Sequence, residues 1–195
     1  PIHLLQQMNW EYIDCLAETP IRTFELNAAM FAADYDGELR RAFCRMLQKS
    51  GKRVFSYHIP FSRLDDISDP DEVCRQRALS RFRALLREAE FFQAEMLVVH
   101  PSTEPVNQQR RAEHTAQLRR SLQELEGELR AKKMRLALEF LPRLCMGNTL
   151  ADMDMFLDGM SSTFGVCQDV NHLMGQYREI PAMARTLKEK LFTLH

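Results

Sequence analysis

Leu136-Ala137-Leu138-Glu139, followed by Phe140-Leu141-Pro142-Arg143, is a short apolar run of strand length that ends on a carboxylate. An acid directly after a buried strand is costly to place unless a cation or hydrogen-bond donors offset its desolvation. Such a residue points to a site. The same arrangement recurs in both directions along the chain: His58 follows Val-Phe-Ser-Tyr, His100 follows Leu-Val-Val, Asp169 follows Gly-Val-Cys-Gln, and His195 follows Phe-Thr-Leu. Asp, Glu and His make up only 33 of the 195 residues, so metal-ligating types at one structural place, five times in succession, are a pattern rather than background.

Six strand-like runs are expected, at Ile21 to Leu26, Val54 to Tyr57, Met96 to Val99, Leu136 to Leu138, Phe164 to Cys167 and Leu191 to Leu194. Between them apolar residues recur at three and four positions: Leu39, Phe43 and Met46; Leu79, Phe82, Leu86 and Ala89; Leu118, Leu122, Leu125 and Leu129. These are helix faces, and strands alternating with helices specify α/β architecture with a parallel sheet. Asp69-Pro70-Asp71 reads as an N-cap, a proline at the first helical position and an early acid, and Thr149 with Asp152 resembles a capping box. The Leu118 to Leu129 stripe covers barely two heptads, so it reads as one buried face with a solvated charged back rather than a partner-binding coiled coil. No linker or repeat divides the chain, and residues 1–195 are expected to form one domain.

Composition narrows the partners. With 26 Lys and Arg against 27 Asp and Glu, the net charge of −1 provides no basic field for tracking phosphates. No apolar run approaches the roughly 18 to 20 residues needed to cross a bilayer. Five widely spaced cysteines without a C-x-x-C pair fit reduced thiols in a cytoplasmic setting better than disulfides or a zinc knot. No signal-peptide order is visible, although a chain beginning at Pro1 leaves a processed or cut terminus open. The oligomeric state, a homo-oligomer included, is not legible.

In parallel α/β folds the C-terminal edge of the strands is where sites form, and ligands from several strands converge only if the sheet curls into a barrel. Imidazole and carboxylate donors without thiolate suit Mn²⁺, Mg²⁺, Co²⁺, Zn²⁺ or Fe²⁺. His172, three residues after Asp169, adds a ligand or a substrate contact at the same mouth. Each histidine also has a plainer reading: His58 beside Pro60 and His100 beside Pro101 read equally as strand-end rings donating to loop carbonyls. His114 and His3 are expected to be exposed and without a role, and Glu25 to be a structural acid or one that supports a ligand.

Together these segments resemble the xylose isomerase-like TIM barrels, a superfamily of sugar isomerases and epimerases that also includes AP-site endonucleases. The resemblance is carried by Ser-Tyr-His58-Ile-Pro-Phe, Val-Val-His100-Pro-Ser, Leu-Ala-Leu-Glu139-Phe-Leu-Pro-Arg143 with Met-Gly-Asn148-Thr, Gly-Val-Cys-Gln-Asp169-Val-Asn-His172-Leu-Met-Gly, and Leu-Phe-Thr-Leu-His195. It implies a (β/α)₈ barrel of which about six of eight strands are present, the first and last being absent from a chain shorter than the roughly 250 residues of a typical complete barrel. It also implies a divalent metal held by Glu139, Asp169 and His195, with a fourth glutamate that has no counterpart here. In the epimerase branch two glutamates, Glu139 being one, exchange a proton beside a sugar carbonyl through a cis-enediolate. His172 would hold a substrate oxygen, His58 and His100 would line the substrate, and Arg143 and Asn148 would reach a hydroxyl or phosphate. The endonuclease branch, acting on abasic DNA, would instead recruit His58, His100 and His172 as further ligands. Its cationic surface is what the balanced charge lacks. A barrel that kept the metal site for binding or regulation is the third reading.

Overall fold

The computed structural model describes residues 7–173 and 177–195, so His3 lies outside the described residues. Six strands, β1 (Thr23–Asn27), β2 (Arg53–His58), β3 (Met96–Val99), β4 (Arg135–Glu139), β5 (Phe164–Gln168) and β6 (Leu191–Leu194), form one sheet in the order β1-β2-β3-β4-β5-β6, every pair parallel. Helix α1 (Trp10–Glu18) precedes β1, and α2 (Glu38–Ser50), α3 (Glu72–Phe91), α4 (Arg111–Ala131), α5 (Leu150–Leu157) and α6 (Ile180–Leu187) fill the five crossovers. Because each strand adds beside its predecessor, the sheet has no point at which its winding reverses. It curls far enough that Glu25 on β1 accepts a hydrogen bond from His195, the residue after β6, at 2.9 Å. This is the curled half-barrel expected of a truncated TIM barrel, and among the described residues β1 and β6 each have one strand neighbour.

The chain explains the elements. Leu118, Leu122, Leu125 and Leu129 of α4 are fully buried, as are Leu79, Phe82, Leu86 and Ala89 of α3, so both stripes pack into the core between helices and sheet. That burial removes the coiled-coil reading of α4. Inside the curl a second, smaller cluster joins Met96, Val98, Ala137 and Cys167, with Phe55 and Phe192 partly buried against it. Thr149 caps α5 by accepting from the Asp152 amide at 3.1 Å. The start of α3 differs from expectation: Asp71, not Asp69, is the N-cap, accepting from the Cys74 amide at 3.0 Å, while Asp69 accepts from the Asp71 amide at 2.8 Å in the turn before it. Two acids flanking a proline offer two possible caps, and the one nearer the apolar stripe wins. Strand β1 starts at Thr23 rather than Ile21, leaving Ile21 half exposed at 52%. His114 is half-buried rather than exposed, its Nδ1 lying 3.1 Å from the Ser68 hydroxyl.

No helix among the described residues is long and apolar enough to cross a membrane. The seat of β6 depends on Gly165 in β5: a Cβ there would stand 2.6 Å from both the Lys190 carbonyl oxygen and the Phe192 ring. Gly165→Ala is therefore expected to cost about 1–3 kcal/mol, read as a lower urea midpoint at unchanged slope. A wild-type midpoint would show that β6 does not pack this closely on β5.

Candidate active site

Strand alternation decides which side chains enter the barrel. His58 is in register with Val98, Val98 with Ala137, and Ala137 with Gly165, so these positions share the inner face. Two residues further along their strands, His100, Glu139 and Cys167 share it again, and Asp169 follows Cys167 by another two. The ladder continues past the strand ends through Ile59 N–H to Val98 O, Phe140 N–H to Cys167 O, and Val170 N–H to His195 O. The site-bearing residues are thus still held by sheet hydrogen bonds when they reach the mouth.

Glu139 is the centre of the cluster, with 2% of its surface exposed. Its Oε2 lies 2.9 Å from His58 Nε2 and 3.0 Å from His100 Nε2; its Oε1 lies 3.5 Å from His195 Nδ1 and 3.6 Å from His172 Nδ1. Burial alone would raise the Glu139 carboxyl, but the bonds from His100, His195 and His58 outweigh it and hold the group well below the carboxylate range. Glu139 is ionised. His58 also donates Nδ1–H to the Ile59 carbonyl at 2.9 Å. A carbonyl and a carboxylate can only accept, so a His58 that satisfies both carries two protons. Burial works against that charge, yet Glu139, at hydrogen-bond distance, pushes the His58 pKa up. His100 goes the other way, since burial dominates and lowers it despite its own contact with Glu139. One carboxylate oxygen is thus shared by two rings whose pKa values are pushed in opposite directions, and among the described residues His100 Nδ1 is buried without a partner.

The remaining residues divide between the mouth and the loops. Asp169 Oδ1 accepts from the amides of Asn171 and His172 at 2.7 and 3.2 Å, fixing the turn, and Oδ2 lies 3.5 Å from His172 Nδ1. His172 donates Nδ1–H to the Phe140 carbonyl at 2.8 Å. For His195, burial opposes the charged ring, but Cys167, Glu139 and Glu25 around it push the pKa up to about 12. Cys167 is itself driven up to about 11 by burial, so it is a thiol in the barrel wall rather than a thiolate donor. Arg143 and Asn148 are not brought to this cluster: Arg143 Nε donates to Glu104 at 2.8 Å on the exposed surface, and Asn148 Nδ2 donates to the Arg143 carbonyl at 2.6 Å.

The donor set suits a divalent cation. His58, Glu139 and His195 form one group with ligand atoms within 4.8 Å of one another, and Glu139, Asp169 and His172 form a second. Glu139 belongs to both, whereas Asp169 and His195 fall in different groups. A buried carboxylate surrounded by imidazoles is what a cation would neutralise, displacing the protons that now do so. Sequence reasoning gave no place to Ser56, which donates to Glu25 at 2.6 Å. Its signal was its position two residues before His58 on the same strand face. Phe61, edge-on to His100 with centroids 4.8 Å apart, is a second such neighbour.

Among curated proteins none matches the chain in sequence. Solved structures do match in fold. A D-psicose 3-epimerase determined in the presence of D-fructose superposes with a TM-score of 0.81 at 17% identity, over 95% of this chain and 66% of that one. The D-psicose 3-epimerase of Clostridium cellulolyticum H10, with D-tagatose, gives 0.81 at 18% identity, over 97% and 68%. The 3-keto-D-glucoside 4-epimerase of E. coli gives 0.76 at 17%, over 97% and 76%. The chain thus spans about two thirds of the length of the first two. The model of the xylose isomerase-like TIM barrel family matches residues 13–195, and with the curled parallel sheet and its strand-end cluster this establishes that the chain belongs to that family.

Proposed function

We propose that the protein is a divalent-metal-dependent isomerase or epimerase of a sugar or sugar phosphate, exchanging a proton at the carbon beside a carbonyl. The observation that carries this reading is the buried carboxylate of Glu139 at the C-terminal mouth of the curled parallel sheet, ringed by His58, His100, His172 and His195. Glu139, Asp169 and His195 would hold the metal. When bound, such a cation stabilises the negative charge that develops on substrate oxygens. Glu139 also serves as a base toward the substrate carbon. His172, with Nδ1–H given to the Phe140 carbonyl, is left with Nε2 to orient and polarise a substrate oxygen. His58 and His100 line the substrate's other flank. Arg143 and Asn148 would reach a hydroxyl or phosphate only after the Arg143–Glu104 pair opens. The sugar epimerases that share the fold support a small polyol substrate, and the balanced charge speaks against nucleic acid.

A second reading rests on one specific observation: His58, His100 and His172 all meet the same carboxylate, as additional ligands of a multinuclear phosphodiesterase acting on abasic DNA would. Metal analysis separates the two, about one ion per chain favouring the sugar enzyme and about three favouring the nuclease.

Asp169→Ala in the full-length protein is expected to remove most Mn²⁺ binding while leaving the circular dichroism spectrum intact; unchanged metal content would sink the ligand assignment. Incubating ketoses with the protein in deuterated water should show solvent deuterium entering the carbon beside the carbonyl. Glu139→Gln keeps the shape but loses basicity, so this exchange should nearly vanish and metal affinity fall. His172→Ala should retain the metal and lose about 10²-fold in turnover. If His172→Ala instead releases metal and abolishes cleavage of abasic DNA, the nuclease reading replaces the sugar enzyme.

A further inference from the structure

We propose that Glu25 is a positioning residue that sets the ring of His195 for metal binding, through a bond from β1 to the residue that follows β6. The inference rests on the metal reading above. His195 Nε2 lies 2.9 Å from Glu25 Oε2, a contact between residues 170 apart in sequence, and Ser56 on β2 donates to the same oxygen at 2.6 Å. Glu25 Oε2 accepts from the Ser56 hydroxyl and, as a carboxylate oxygen, accepts from His195 Nε2–H as well, which leaves His195 Nδ1, 3.5 Å from Glu139 Oε1, as the atom available to a metal. The described backbone bonds of His195 run to the β5 side, its N–H to Gln168 O and its carbonyl to Val170 N–H. Neither bond fixes the rotation of the ring. Glu25 supplies the constraint from the opposite edge of the sheet, and Ser56 in turn orients Glu25.

Carboxylates that orient a ligating histidine typically change metal affinity by about 10–100-fold when removed. The test is titration of the metal-free full chain with Mn²⁺, with Tm recorded with and without the ion, for wild type, Glu25→Ala, Glu25→Gln and Ser56→Ala. Glu25→Ala is expected to weaken Mn²⁺ binding by about 10–100-fold and to lose most of the Mn²⁺-induced rise in Tm. Glu25→Gln retains an acceptor oxygen and should recover part of the affinity, which a purely structural loss would not predict. Ser56→Ala, which leaves Glu25 in place, should shift affinity in the same direction by less, and stands in if Glu25→Ala fails to fold. A folded Glu25→Ala with wild-type Mn²⁺ affinity, or a Glu25→Gln no better than Glu25→Ala, overturns the inference while leaving the metal reading standing. Wild-type protein that binds no Mn²⁺ overturns both.

Discussion

A carboxylate with 2% of its surface exposed must be compensated where it stands, and Glu139 is compensated entirely by side chains from other strands and loops. His58 comes from β2, His100 from the end of β3, His172 from the turn after β5 and His195 from the end of β6. No local segment could supply this set. The requirement that these rings meet one carboxylate is satisfied only by a parallel sheet curled so that its strand ends face a common centre. The same requirement accounts for the sheet bonds that persist past the strands: Phe140 N–H to Cys167 O and Val170 N–H to His195 O hold backbone in register where loops would otherwise begin.

The inner wall beneath the site is narrow, and its sequence is fitted to that. Met96, Val98, Ala137 and Cys167 form the small interior cluster, and at Gly165 even a methyl would strike the Phe192 ring. Arg135 reaches over that ring from β4, across β5, its guanidinium carbon 4.6 Å from the centroid, so an aromatic and a cation meet at the end of the strands opposite the site. Small residues in the middle let six strands converge; the helices, with their Leu and Phe stripes, carry most of the apolar burial on the outside. Work is divided by face, with stability outside and chemistry at one end of the inside.

This division explains what could be read from the sequence. A strand that is apolar on both faces and ends on His, Asp or Glu is visible as a local pattern, so all six strands and the five strand-end residues were legible within one or two positions. Features that depend on a choice among local partners were not. Asp71 outcompeted Asp69 as a cap because only the structure reveals where the α3 stripe begins, and His114 found Ser68 across 46 residues. Arg143, expected from the resemblance to reach a hydroxyl or phosphate, stands where the chain turns, with a positive φ of 53°, and its guanidinium meets Glu104 on the surface, a pairing between loops that no local pattern announces. Glu25 was legible as a structural acid or one that supports a ligand, but not which residue it would meet. Its partner is the far end of the chain, and that pairing is a consequence of the curl rather than of any motif.

Protonation and metal binding compete at the same atoms, and this ties the site's chemistry to its assembly. In the arrangement described, His58 bridges the Ile59 carbonyl and Glu139 with both ring nitrogens donating. Its bond to Glu139, with those of His100 and His195, offsets the burial of the carboxylate. A divalent cation brings more charge to the same oxygens and releases protons from the rings that coordinate or neighbour it, so acid pH favours the protonated cluster and rising pH favours the metal. The Glu25–His195 bond closes the ring of contacts from the other side, linking the first strand to the residue after the last. Curling the sheet and building the donor set are accordingly one event. A cation that binds only the assembled cluster stabilises the curled sheet by its own binding free energy.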